Sequence, residues 1–237
     1  MRLAVLMTNT DESDLARRHP SDDQAFAALI RARRSSWTCE TIPVKDNVFP
    51  ADLRAYDGYI VTGSPESVLE ANRWAARLLE DIRRIAEARI PIFGTCYGHQ
   101  AIALALGGEV GPNPKGWSIG CVQSELCAAA PQLPEGLTTL RLYAAHNQQV
   151  TRIPQGACIL LKSPDCPVGA MMVGNTVMSI QYHPEMTRSF LRGLIEQMRG
   201  EIPPDTLERA RQSLRFDAQS GLMCDWVIRF LEDGASG

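Results

Sequence analysis

The sequence is short of several things, and each shortage narrows what the chain can be. No apolar run is long enough to cross a membrane. The first, Leu3–Met7, gives way to Thr8-Asn9-Thr10-Asp11. That is too brief for a signal segment or a span, and it reads as a first strand. There is little net charge: −3 over 237 residues offers no electrostatic case for nucleic acid or an anionic membrane. No C-x-x-C pair occurs. The seven cysteines (39, 96, 121, 127, 158, 166 and 224) form an odd set with no framework spacing. They are expected to be reduced, in a cytoplasmic setting, and mostly small buried hydrophobes. No G-x-x-x-x-G-K-[ST] fingerprint is present, nor a second group of ligand-type residues that would complete a metal site around Cys96 and His99. The expectation is therefore no cofactor and no metal. Internal repeats, low-complexity tracts and linkers are also missing.

What is there belongs to a globular α/β protein. Hydrophobic residues make up 45% and charged residues 22%, the balance of a soluble globular domain. Trp37–Val44 alternates like a strand, and Asp57–Thr62 is a third strand ending at Gly63. Thr8–Asp23 is polar and long for a connection, a lid or a disordered loop, and His19 within it reads as an exposed structural residue. Ser21-Asp22-Asp23 reads as a helix start, with a capping residue and acids in the first turn. The Arg31-Ala32-Arg33-Arg34 cluster reads as the solvated end of that helix. Ala75, Leu78, Leu79, Ile82 and Ile85 repeat at helical period, predicting a helix over 72–88. Ile90–Phe93 is a short buried strand. The order β-α-β-β-α-β-α predicts a doubly wound, mostly parallel sheet with flanking helices. Five short strands follow, at 119–126, 137–143, 157–162, 169–173 and 177–182, and predict a small added antiparallel region. Helices are expected over 188–199, 205–219 and 223–231, with Pro203-Pro204 breaking the first from the second.

The chain is organised around Gly94-Thr95-Cys96-Tyr97-Gly98-His99-Gln100. A buried strand precedes it, and Ala101–Leu106, a helix stopped by Gly107-Gly108, follows. Cys96 thus sits on a tight strand-to-helix turn. Gly94 and Gly98 remove the Cβ atoms that would crowd such a turn. The helix N-terminus brings backbone N–H groups and a positive dipole end to Cys96, favouring negative charge there. Alone, the motif equally fits a turn cysteine in an ordinary βα unit. Val177–Tyr182 then delivers His183, Pro184 and Glu185 at a strand end. A thiol nucleophile needs a base to take its proton and a carboxylate to orient that base. Residues i and i+2 at a strand end can point the same way, and Pro184 stiffens the spacing.

Cys96 on an elbow with His183-Pro184-Glu185 after it resembles the class I (triad) glutamine amidotransferases. Tyr59–Val68 resembles that family's oxyanion strand and loop, most closely the GMP synthase type. His146 in Ala144–Val150 falls where those relatives carry a short His-containing motif. The resemblance spans about residues 55–190 and implies a flavodoxin-like architecture. It implies one such domain over 1–237, with 200–237 a C-terminal helical extension. By resemblance Cys96, His183 and Glu185 form the triad, and the backbone N–H groups of Gly63 and Tyr97 form the oxyanion hole. Ser64 stands where the relatives carry Gly, a departure that leaves Gly63 in place and alters the loop. Gln100 matches a position that contacts glutamine in the family, or is a helix-surface amide. His146, Asn147 and Gln148, with Trp117 and Ser118, are candidate substrate contacts. His99 is read as structural, because the resemblance gives the base to His183.

An α/β-hydrolase shares the elbow, but there the acid precedes the His in chain order; here Glu185 follows His183. The activity implied is attack of Cys96 on the γ-amide of glutamine, giving a thioester, then glutamate and ammonia. The ammonia could serve a synthase on a separate chain. The same chemistry on a γ-glutamyl compound would make a self-sufficient γ-glutamyl hydrolase or peptidase. A non-catalytic binding module is the third reading, which the intact triad disfavours.

Overall fold

A computed structural model describes residues 1–70, 72–127 and 133–236. The elements run β1 (Arg2–Leu6), α1 (Asp14–Arg17), α2 (Asp22–Arg31), β2 (Thr38–Ile42), β3 (Gly58–Val61), α3 (Ala75–Glu87), β4 (Ile92–Thr95) and α4 (Tyr97–Ala105). Then come β5 (Glu109–Pro112), β6 (Ser118–Leu126), β7 (Thr139–His146), β8 (Gln148–Arg152), β9 (Ala157–Ser163), β10 (Cys166–Val173) and β11 (Val177–Ile180). Helices α5 (Arg188–Gln197), α6 (Pro204–Ser213) and α7 (Ser220–Ala235) complete the chain, and two 3-10 turns at Val44–Asp46 and Leu53–Ala55 separate β2 from β3.

A nine-stranded sheet runs β2-β1-β3-β4-β11-β10-β9-β6-β7. From β2 to β11 the neighbours are parallel. Their order, 2-1-3-4 and then the last strand, is the flavodoxin-like winding. The added antiparallel region has two parts. β10, β9, β6 and β7 continue the main sheet, and β5 with β8 form a separate two-stranded sheet.

Alternation in the parallel strands feeds two cores. Leu3 and Val5 of β1 face Phe26 and Ile30 of α2 and Trp226, Val227 and Leu231 of α7. Ala4 and Leu6 face the opposite side, with Leu78, Ile82 and Ile85 of α3 and Ala101 and Ile102 of α4. This is period two in a sheet covered on both faces. Helices α5 and α6 build a third cluster over the antiparallel half with Ile119 and Tyr143.

The structure differs from the sequence expectations at several places, among them two strands, β5 and β8, beyond the five expected. The polar stretch 8–23 is ordered: Ser13 caps α1, accepting from the Ala16 N–H at 3.2 Å. His19 is half-buried, its ring edge-on to Phe190 at 5.3 Å. The arginines at the end of α2 are tied rather than solvated. Arg34 binds Glu232 through two nitrogens at 2.6 and 3.0 Å, and Arg33 pairs with Asp225, so α2 and α7 are cross-linked by charge. Of the seven cysteines, Cys96, Cys166 and Cys224 are buried, whereas Cys127 and Cys158 are exposed. No helix among the described residues is long and apolar enough to cross a membrane.

Candidate active site

The elbow forms because three backbones meet at it. Cys96 has φ 47° and ψ −103°, a left-handed conformation that L-residues adopt only under constraint. The constraint is visible. The Cys96 N–H donates to the Ile180 carbonyl of β11 at 2.9 Å, and the Gly98 N–H to the Thr62 carbonyl at 3.2 Å. A Cβ on Gly98 would lie 2.4 Å from the Val61 carbonyl oxygen, and one on Gly94 would lie 2.7 Å from the Gly98 backbone. Both glycines therefore allow β3, β4 and α4 to touch directly.

Thr8, just past β1, fixes the other side. Its hydroxyl lies 2.9 Å from both the Thr62 and Gly63 carbonyl oxygens, and its N–H donates to Thr62 Oγ1 at 2.9 Å. Gly63 is held against Cys96 and His183 by this clamp. A Cβ placed there would sit 3.1 Å from His183 Cε1 and 3.6 Å from Cys96 Cβ. One point in space therefore touches both Cys96 and His183. Tyr97 is the first residue of α4, so its N–H is among those that the helix itself leaves unpaired.

His183 follows β11, and its N–H donates to the Tyr143 carbonyl of β7 at 2.9 Å. Its Nδ1 lies 2.7 Å from Glu185 Oε1. A carboxylate accepts, so Nδ1 carries the proton and Nε2 is left as the acceptor. Nε2 is buried with no other partner among the described residues. Burial alone would lower the His183 pKa. Glu185 and Cys96 act against that burial and hold it well above the usual imidazole value. Glu185 is itself buried.

A cavity of about 330 Å³ opens over Cys96. Gln100, His146, Asn147, Gln148 and Trp117 line it, whereas Ser118 does not. Ser118 is buried in β6, paired in register with His146, because strand alternation turns it away from its neighbour Trp117. The Gln100 side chain is buried and bridges the Gln148 carbonyl at 2.9 Å and Gln181 Oε1 at 3.2 Å, so it is not a surface amide. His146 Nδ1 lies 3.0 Å from the Gln148 carbonyl, and burial lowers its pKa to about 4. His99 is wholly buried between Ser179 Oγ at 2.8 Å and the Val168 carbonyl at 3.1 Å. Desolvation brings its pKa to about 3; both ring nitrogens are occupied by these structural bonds.

The sequence reading missed Asp22, Glu66 and Glu70. Glu66 and Glu70 lie in the cavity wall, on the loop after Gly63. Asp22 shares a small cleft of about 60 Å³ with Glu185 on the far side of His183. Burial, and then the Glu185 charge, raises its pKa to about 7, against the opposing pull of His183 and of the Asn9 amide. Its position in the first turn of a helix reads locally as dipole compensation, which masked this.

Among the described residues no group of three His, Cys, Asp or Glu side chains could hold a metal ion. The arrangement suits nucleophilic acyl transfer by a thiol, with a base, an orienting carboxylate and unpaired backbone donors.

The model of the family described as glutamine amidotransferase class-I matches residues 22–193. Gamma-glutamyl peptidase 4 of Arabidopsis thaliana is 26% identical over 203 residues, covering 82% of this chain and 80% of that protein. GMP synthase [glutamine-hydrolyzing] of Ectopseudomonas mendocina (strain ymp) is 33% identical over 175 residues, covering 70% of this chain and 32% of that protein. A crystal structure of a glutamine amido transferase from Methylobacillus flagellatus superposes with a TM-score of 0.79 at 21% identity, over 98% of this chain and 94% of that one.

Proposed function

The chain belongs to the class-I glutamine amidotransferase family, and from that premise we propose that it hydrolyses the γ-amide of glutamine or of a γ-glutamyl compound through a thioester on Cys96. One observation carries the reading: Gly63 abuts both Cys96 and His183, whose Nδ1 is bonded to Glu185. Nucleophile, base, orienting acid and a backbone donor thus converge at one point.

The steps follow from that geometry. His183 Nε2 takes the Cys96 proton, and the sulfur attacks the γ-carbonyl carbon. The negative oxygen is met by the backbone N–H groups of Gly63 and Tyr97, one such donor being worth about 3 kcal/mol of transition-state stabilisation. The C–N bond breaks as His183 gives its proton to the departing nitrogen, which leaves as ammonia or an amine. Water, deprotonated by His183, then cleaves the thioester, releasing glutamate and restoring the Cys96 thiol. Glu185 holds the imidazole in the tautomer that both steps need.

Gln100, His146, Asn147, Gln148 and Trp117 serve as the substrate contacts. A second reading, glutaminase coupled to a separate synthase, draws support from the likeness to GMP synthase. The exposed thiols Cys127 and Cys158 suit a reducing, cytoplasmic setting.

The test is glutamate release by the purified chain from L-glutamine and from γ-glutamyl amides, with Cys96→Ala as control. Turnover that falls at least ~10³-fold in the variant is expected. Turnover retained by Cys96→Ala removes Cys96 as nucleophile. Alkylation of Cys96 by a glutamine-like electrophile without turnover favours the synthase-coupled reading.

A further inference from the structure

The cavity over Cys96 has a charge asymmetry that thioester chemistry does not use. Two of its wall residues are the carboxylates Glu66 and Glu70, and among the described residues no lysine or arginine lines it. Among the described residues neither carboxylate is in an ion pair. Glu66 is held in place by Thr10, whose hydroxyl donates to its Oε1 at 3.0 Å.

The neutral wall has the same polarity. The Gln148 carbonyl can only accept, so His146 Nδ1, 3.0 Å away, carries the ring proton. His146 Nε2 is then an acceptor, buried and without a protein partner among the described residues. The ring is almost wholly buried, and its residue lines the cavity. A glutamyl group brings one ammonium and one carboxylate, both at its α-carbon, so it is neutral overall and pairs with one wall carboxylate at most. The second is left for whatever is bonded to the γ-carbonyl. At about 330 Å³ the cavity is at the small end of ligand sites, with room for a glutamyl group and a short amine rather than an extended peptide.

We propose that the preferred substrate is a γ-glutamyl amide whose leaving amine carries a second, positively charged nitrogen, and that Glu66 and Glu70 select it over amides ending in a carboxylate. This rests on the thioester reading and names the substrate class for the same site. The amide C–N bond is hydrolysed as above, so the products are glutamate and a free diamine.

The experiment compares kcat/KM for two near-isosteric amides, γ-L-glutamyl-1,3-diaminopropane and γ-L-glutamyl-β-alanine, with L-glutamine alongside. A preference of about tenfold or more for the ammonium-bearing amide is expected at low ionic strength, since the two substrates differ by two charge units. The preference shrinks in high salt, because Glu70 is exposed. It is lost in a Glu66→Gln, Glu70→Gln double variant, with folding verified by circular dichroism and by unchanged Cys96 alkylation with a neutral reagent. If that variant does not fold, Glu70→Gln alone must reduce the preference and its salt dependence. Equal rates, a preference for the carboxylate amide, or selectivity that survives these changes overturns the charge selection while leaving Cys96-dependent hydrolysis of glutamine standing. No Cys96-dependent release from any of the three overturns the charge selection, and it removes the thioester reading as well only if a glutamine-like electrophile also fails to alkylate Cys96.

Discussion

Glu185 gives one carboxylate oxygen to His183 Nδ1 at 2.7 Å and keeps the other, Oε2, buried with no hydrogen-bond partner among the described residues. The engaged oxygen fixes the imidazole tautomer, so a Glu185→Gln side chain can present an N–H where an acceptor is needed. The ring would then flip its proton to Nε2 and lose the lone pair that faces Cys96. kcat is expected to fall at least ~10²-fold, with KM changed little. Steady-state kinetics on glutamine or a γ-glutamyl amide read this; a change in KM alone contradicts an orienting role.

Asp22 predicts a pH slope. Its carboxyl is raised from the ordinary value near 3.8 to about 7, by burial first and the Glu185 charge second, with Asp23 adding slightly and His183 and Asn9 opposing. Between these values the folded chain holds a proton that the unfolded chain has released. Stability therefore falls as pH rises through that window and is level above it. Asp22→Asn keeps an acceptor for the Asn9 amide and removes the titration. Urea midpoints at pH 5 and pH 8 should show the variant gaining on the wild type at the higher pH. An identical difference at both pH values means that Asp22 does not hold the proton.

How far the sequence could be read depended on whether a signal was local. The Cys96 elbow, the His183-Pro184-Glu185 strand end and the α3 stripe are local, and each stands where it was expected. The same holds for the two glycines: the space they leave is filled by Val61 and by the turn itself. What stayed hidden was long-range. Asp22 looks like a first-turn acid until α2 is laid behind the end of β11. Arg33 and Arg34 look solvated until α7, almost 200 residues later, supplies Asp225 and Glu232. β5 contains Gly111 and Pro112, which locally signal a break, and an edge strand in a two-stranded sheet tolerates both. Ser118 was misassigned because its neighbour Trp117 does reach the cavity.

His99 separates a structural histidine from a catalytic one. Buried between Ser179 and the Val168 carbonyl, it stays neutral, with a pKa of about 3. The unfolded chain takes up this proton near pH 6.5. The stability it supplies is therefore complete above that pH and is lost as pH falls toward 3, the opposite sign to Asp22. His99→Ala is expected to destabilise by about 2–4 kcal/mol at pH 7, through a cavity and two stranded partners. The folded fraction should still react at Cys96 with a small electrophile. Loss of that reactivity at full folding would place His99 in the chemistry.

Gly98 and Gly63 flank Cys96, the proposed nucleophile, and predict different failures. A methyl on Gly98 would meet the Val61 backbone at 2.4 Å, and a strand in the centre of the sheet cannot yield. Gly98→Ala should therefore lower stability, by about 3 kcal/mol, and activity should fall with the folded fraction. A methyl on Gly63 would instead meet the edge of the His183 ring at 3.1 Å, a contact that a small ring displacement relieves. That displacement moves Nε2 relative to Cys96 and disturbs its alignment with Glu185. Gly63→Ala is thus expected to change the unfolding midpoint little, by about 1 kcal/mol or less, and to lower kcat at least tenfold. Chemical denaturation and kcat measured side by side on the two variants decide it. If Gly63→Ala loses stability as Gly98→Ala does while its folded fraction turns over normally, Gly63 is only a packing glycine and the oxyanion donor lies elsewhere.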